Sequence, residues 1–172
     1  MMQPILLLLA SAALRGDVPT KPVAATFPSI VRAALLRPDT TSRTSLMHRD
    51  AARRMATGDL RGARTVYRTI IAYEDSVGVF PGESMWTLAT LEFGRGRELR
   101  AAELLDRVAD AAVRYGRPDW QARALLEAGL LYQQYGRTDL SVVRYSTLLP
   151  LLESPAISVE DRTALKGRII RR

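Results

Sequence analysis

The stretch ARALLEAGLLYQQYGRTDLSVVRYSTLLPLLESP, residues 122–155, decides how the chain folds. Leu125, Ala128, Gly129 and Tyr132 recur at i, i+3, i+4 and i+7, a spacing that places them on one face of a helix. Gly136 ends that helix, because glycine takes the left-handed conformation found just past a helix end without the penalty of a Cβ. Asp139 starts a second helix, whose stripe is Ser141, Tyr145, Leu148 and Leu152. Gly129 and Ser141 are small, so the two helices approach closely. The pattern predicts an antiparallel helical hairpin.

The arrangement recurs upstream. In DAARRMATGDLRGARTVYRTIIA, residues 50–72, Gly58 is the turn, and Ala63 and Tyr67 follow it at the offsets by which Ser141 and Tyr145 follow Gly136. In SMWTLATLEFGRGRELRAAELLDRVADAA, residues 84–112, Gly96 as the turn brings Ala89, Ala101 and Leu105 into equivalent places. Glu92 then stands where the last copy has Tyr132.

These copies resemble the tetratricopeptide repeat, a helix-turn-helix unit of about 34 residues. On the family motif fall Leu125, Gly129, Tyr132, Gly136, Ser141 and Tyr145, with Pro155 about two residues late. Asp50 and Arg54 depart from the motif, which prefers apolar residues there. The turn glycines lie 38 and 40 residues apart, so helices or loops longer than the family's are expected. The resemblance implies an all-α protein: antiparallel helix pairs stacked as a short right-handed α-solenoid of about three repeats, with a C-terminal capping helix. In that family the first helix of each repeat lines a concave groove. Carried over by the turn glycines, the groove residues are Arg123, Leu130, Gln133 and Gln134 in the last copy, Trp86 and Thr90 in the middle copy, and His48 and Met55 in the first. The implied role is a non-catalytic interaction module or scaffold that holds a peptide or protein segment.

Outside the repeats the chain divides simply. Residues 1–13 contain the apolar run Ile5–Leu9 followed by small residues, the pattern of a secretory signal peptide, so export is expected. The run is too short to span a bilayer, which needs about 20 apolar residues. Residues 14–43 form a linker rich in proline and small residues, with room for one short helix at 29–37 before Pro38. Residues 44–172 are the repeat domain. Near its end, Ser158 caps a last helix whose first turn holds Glu160 and Asp161.

Composition restricts the chemistry. There is no cysteine, hence no disulfide, thiolate ligand or cysteine nucleophile, and His48 is the single histidine. The sequence pairs no nucleophile with a base and shows no metal-ligand spacing, so neither enzymatic activity nor a cofactor is expected. GRGR at 94–97 lacks the spacing and lysine of a phosphate loop and is a turn. Glu98, Glu103, Asp106 and Asp110, interleaved with arginines, form a charged helix surface open to solvent. Of the net charge of +7, most sits in residues 162–172, which hold Arg162, Lys166, Arg168, Arg171 and Arg172 and no acid. This helix supplies the alternative, a cytoplasmic regulatory domain touching nucleic acid or an anionic surface. No aromatic residue interleaves with these arginines, so base stacking has no platform and nucleic acid is disfavoured as a partner. Circular dichroism is expected to give a helix-dominated spectrum; a substantial strand signal would remove the repeat assignment.

Overall fold

The computed structural model describes residues 41–170. They form α1 (Thr41–Ala56), α2 (Leu60–Ser76), α3 (Gly82–Phe93), α4 (Glu98–Arg114), α5 (Pro118–Gln134), α6 (Thr138–Leu152) and α7 (Val159–Ile170). No strand occurs among the described residues. The signal-peptide and short-helix expectations lie outside them. Residues 41–43, expected as the end of the linker, are instead the first turn of α1. None of the helices is long and apolar enough to cross a membrane, among the described residues.

Five turns share one chemistry. Gly58, Gly78, Gly96, Gly116 and Gly136 all have positive φ. The backbone N–H of the residue after each glycine donates to the carbonyl four residues before that glycine, as in Arg137 to Tyr132 at 2.7 Å and Arg97 to Glu92 at 3.1 Å. This is the Schellman closure, which satisfies carbonyls that a helix end leaves orphaned. The closure recurs after every helix from α1 to α5, not only within the three expected hairpins. Gly96 is the turn of the middle hairpin, as its sequence alignment with Gly58 and Gly136 implies. Loops between hairpin helices are short, and most helices run 15 to 17 residues, so the long period is spent on helix length.

Consecutive helices from α1 to α6 pack on one another, and α7 packs back on α5. In each hairpin the residues seven before and five after the turn glycine are small and buried. They are Ala51 and Ala63, Ala89 and Ala101, and Gly129 and Ser141. Ile70, Val108 and Leu148, twelve residues after those glycines, are all fully buried. A Cβ placed on Gly129 would lie 2.8 Å from Cε1 of Tyr145, so the α5–α6 crossing is as close as the residue pair suggests. Asp139 is not the N-cap of α6; Arg137 holds that position and Asp139 lies in the first turn.

Side chains also join helices two places apart. Trp86 on α3 meets Trp120 on α5, Arg123 on α5 pairs with Asp161 on α7, and Asp106 on α4 pairs with Arg144 on α6. The result is helical-repeat-like packing around two buried apolar clusters, one containing Ala51, Leu105 and Tyr132 and the other Met85, Leu126 and Leu165.

Charges expected on the surface are partly internal. Glu92, 2% exposed, takes the place of Tyr132 because three guanidinium groups reach it: Arg64 at 3.2 Å, Arg97 at 3.5 Å and Arg68 at 3.7 Å. Asp106 is likewise no solvated face residue. It accepts from the Tyr132 hydroxyl at 2.8 Å and from Arg144. Burial and then this bond push the Tyr132 hydroxyl pKa far up, so it stays protonated and donating.

Two glycine substitutions are expected to have opposite signs. Gly136→Ala should cost about 1 kcal/mol, because φ is positive there. Gly167→Ala should stabilise by up to about 1 kcal/mol, because it lies within α7 with nothing within 4 Å of the added carbon. Thermal melts of the two variants check this.

Candidate functional site

The residues that the family resemblance assigns to a groove fall in three places. His48, on α1, faces Glu74 of α2 at 3.5 Å, and Ser84 of α3 donates to the other oxygen of Glu74 at 2.9 Å. The carboxylate stands between the hydroxyl and the imidazole, and Ser84 is 1% exposed. A nucleophile needs its base as direct neighbour and an open path to substrate, so this cluster is a cross-link of three helices. Glu83 lies beside it; crowding by protein atoms raises its carboxyl pKa, His48 opposes the rise and Glu74 reinforces it. Met55 is partly buried and accepts the Tyr67 hydroxyl through sulfur at 3.8 Å.

Along α5 the assigned residues do not share one surface. Leu130 is 4% exposed and belongs to the cluster that contains Ile157 and Leu165, so it is core rather than groove. Gln133 and Gln134 are exposed at the helix end, and Gln133 accepts from the Tyr145 hydroxyl at 3.1 Å. Arg123 pairs with Asp161 on α7. It is therefore not a freely substitutable surface cation, because its loss acts on the docking of α7.

Trp86 is the assigned residue with the richest surroundings. Its ring is 5.9 Å from that of Trp120 in an edge-on arrangement. Trp120 is 5.4 Å from Phe80, also edge-on, and Phe80 is 5.8 Å from Tyr115. All four rings are partly exposed, and Phe80, Trp86 and Trp120 rest on the second core cluster. Arg117 lies over Phe80 at 5.4 Å and Arg114 over Tyr115 at 6.0 Å. The Tyr115 hydroxyl donates to Asp75 at 3.1 Å. Thr90, one turn beyond Trp86, gives its hydroxyl to the Trp86 carbonyl at 3.1 Å. Gly82 allows the chain to turn here, since an added Cβ would lie 2.2 Å from the Phe80 ring.

Sequence reasoning missed Phe80, Tyr115 and Trp120. A signal for two of them exists: Tyr-Gly-Arg-x-Asp occurs at 115–119 and again at 135–139, each closing one helix and opening the next. That repetition marks Gly116 as a turn and places Tyr115 and Trp120 on either side of it.

Among the described residues no group of histidines and carboxylates is arranged to hold a metal ion. No family model, curated protein or solved structure matches the chain.

The Arg123–Asp161 pair gives a pH-dependent expectation. Burial alone would raise the Asp161 carboxyl pKa, but the bonds from Arg123 and Ser158 outweigh it and hold the pKa below the ordinary value. A depressed folded pKa gives support that is present above the unfolded value and lost as pH falls through the folded one. Amide exchange in α7 is therefore expected to rise relative to α4 only below about pH 4. Asp161→Asn should raise it at neutral pH and flatten its dependence on acid; unchanged exchange would show that the pair does not hold α7.

Proposed function

We propose that the protein is a non-catalytic interaction module, built like a tetratricopeptide-repeat domain, that holds a peptide or protein segment against the aromatic surface of Phe80, Trp86, Tyr115 and Trp120. The observation that carries this reading is the row of four partly exposed rings drawn from the α2–α3 connection, α3, the end of α4 and the start of α5. Half-buried aromatic rings offer a large contact area with little side-chain entropy to lose, and tryptophan and tyrosine dominate binding energy where proteins meet. Two arginines stacked on the row each also pair with an acid, Arg114 with Asp75 at 3.6 Å and Arg117 with Asp119 at 3.5 Å, and so frame its rim rather than offer free cations.

The reading in which the basic C-terminal helix meets nucleic acid or an anionic surface is less well supported. Arg168 is engaged with Glu127, Lys166 with Glu153, and Arg162 with the carbonyls of Ser154 and Ile157. These cations fasten α7 to the fold.

Trp86 and Trp120 are the chain's two tryptophans, so intrinsic fluorescence reports directly on the proposed surface. Peptides selected from a random displayed library against the full chain are expected to shift that emission on binding. Trp120→Ala should weaken binding by about tenfold or more, as for an interface anchor. Selected peptides that leave the emission unchanged and bind Trp86→Ala and Trp120→Ala normally would overturn the assignment.

A further inference from the structure

The outer face of α1 is open where the same face of α3 and α5 is covered. Twelve residues before its turn glycine stands Leu46, 57% exposed; the equivalent Ser84 and Ala124 are buried. Eight and five residues before, Asp50 and Arg53 meet solvent, where α3 has Leu88 and Leu91 and α5 has Ala128 and Leu131, all buried. In the later hairpins this face meets the preceding second helix. Ser84 donates to Glu74 of α2, and Ala128 and Leu131 share a buried cluster with Ala101, Leu104 and Leu105 of α4. Among the described residues no helix precedes α1.

The sequence just before α1 repeats the end of α4. Ile-Val-Arg-Ala-Ala-Leu at 30–35 corresponds to Val-Ala-Asp-Ala-Ala-Val at 108–113. Each is followed by Arg-Pro-Asp, at 37–39 after one intervening residue and at 117–119 after three, where Pro118 opens α5. Val108, Ala109, Ala111 and Ala112 are the buried face of α4 there, and Ile30, Val31, Ala33 and Ala34 fall at the same spacing. Arg32 takes the place of the exposed Asp110.

We propose that residues 30–36 dock as a short helix on the start of α1, over Leu46, and close this edge of the array as half a hairpin. The extent of the open face fits that occupant. The end of α4, at Val108, Ala109 and Ala111, shares a cluster with Ala122 and Ala124 of α5, whereas its first half clusters with Ala128 and Leu131. A segment that matches only the end of α4, about 10 Å long as a helix, therefore reaches Leu46, the counterpart of Ala124, and stops short of Asp50 and Arg53. Those two are the charged positions of the face and pair with each other at 2.6 Å, an arrangement suited to water. The segment is joined directly to α1, so docking is intramolecular and a small apolar contact suffices.

Thiol labelling of the full chain tests this, because the sequence has no cysteine of its own. Leu46→Cys is compared with Arg61→Cys, at an exposed position on α2. The expected result is that Leu46→Cys reacts about tenfold more slowly or less. Adding Ile30→Asp, which puts a charge on the docking face, should restore fast labelling at 46; adding Arg32→Asp, on the opposite side of the segment, should not. Helix content by circular dichroism confirms that each variant is folded. Equal labelling at 46 and 61, or slow labelling at 46 that survives Ile30→Asp, would overturn the proposal. Protection that grows with protein concentration would also overturn it, since a second copy would then be the cover.

Discussion

Everything in this fold rests on how closely two helices approach within each hairpin. Ala51 with Ala63, Ala89 with Ala101, and Gly129 with Ser141 recur at one pair of offsets from three turn glycines, and all are buried. Small residues there let the backbones come together, and larger ones further along, such as Ile70, Val108 and Leu148, fill the space between hairpins. The Schellman closure at each glycine fixes the phase of the next helix relative to the last. Since the same closure follows five helices in succession, an error of phase in one would displace every later contact.

Burying charge is the second constraint, and it acts between hairpins. Glu92 is a carboxylate at the position that Tyr132 holds in the last hairpin, stable only because Arg64, Arg68 and Arg97 converge on it. Asp106 does the reverse at the next junction, where it accepts from a tyrosine and an arginine. Removing one partner of such a group leaves a charge without compensation, so these networks disfavour slipped pairings of the hairpins more than they add stability. Between α5 and α7, Arg123 with Asp161 and Glu127 with Arg168 play the same part, which explains why cations that look available in the sequence are committed internally.

The helical content, the three hairpins and their turn glycines were legible in the sequence, because glycine with helical periodicity on both sides has few other readings. The buried state of Glu92 and Asp106 was not, since sequence spacing shows which helix face a residue shares but not what the following helix brings to it. The candidate surface was less legible still. Trp86 was named, but Leu130 proved to be core, and Phe80, Tyr115 and Trp120 were overlooked. Gly78 and Gly116, which close the second helix of the first two hairpins, carry the missing information: they place Phe80 and Tyr115 at helix ends that meet.

The central claim is that contact at the small-residue crossings sets the packing of each hairpin. A double-mutant cycle at the last crossing tests it most directly, with Gly129→Ala, Tyr145→Ala and the double variant compared by denaturant unfolding. An added methyl at 129 would crowd the Tyr145 ring, so Gly129→Ala should be relieved when the ring is absent. The expected coupling is about 0.5 kcal/mol or more, with the double variant more stable than the sum of the single losses allows. Additivity of the two substitutions within about 0.3 kcal/mol would mean that the residues do not meet, and would contradict this account of the fold.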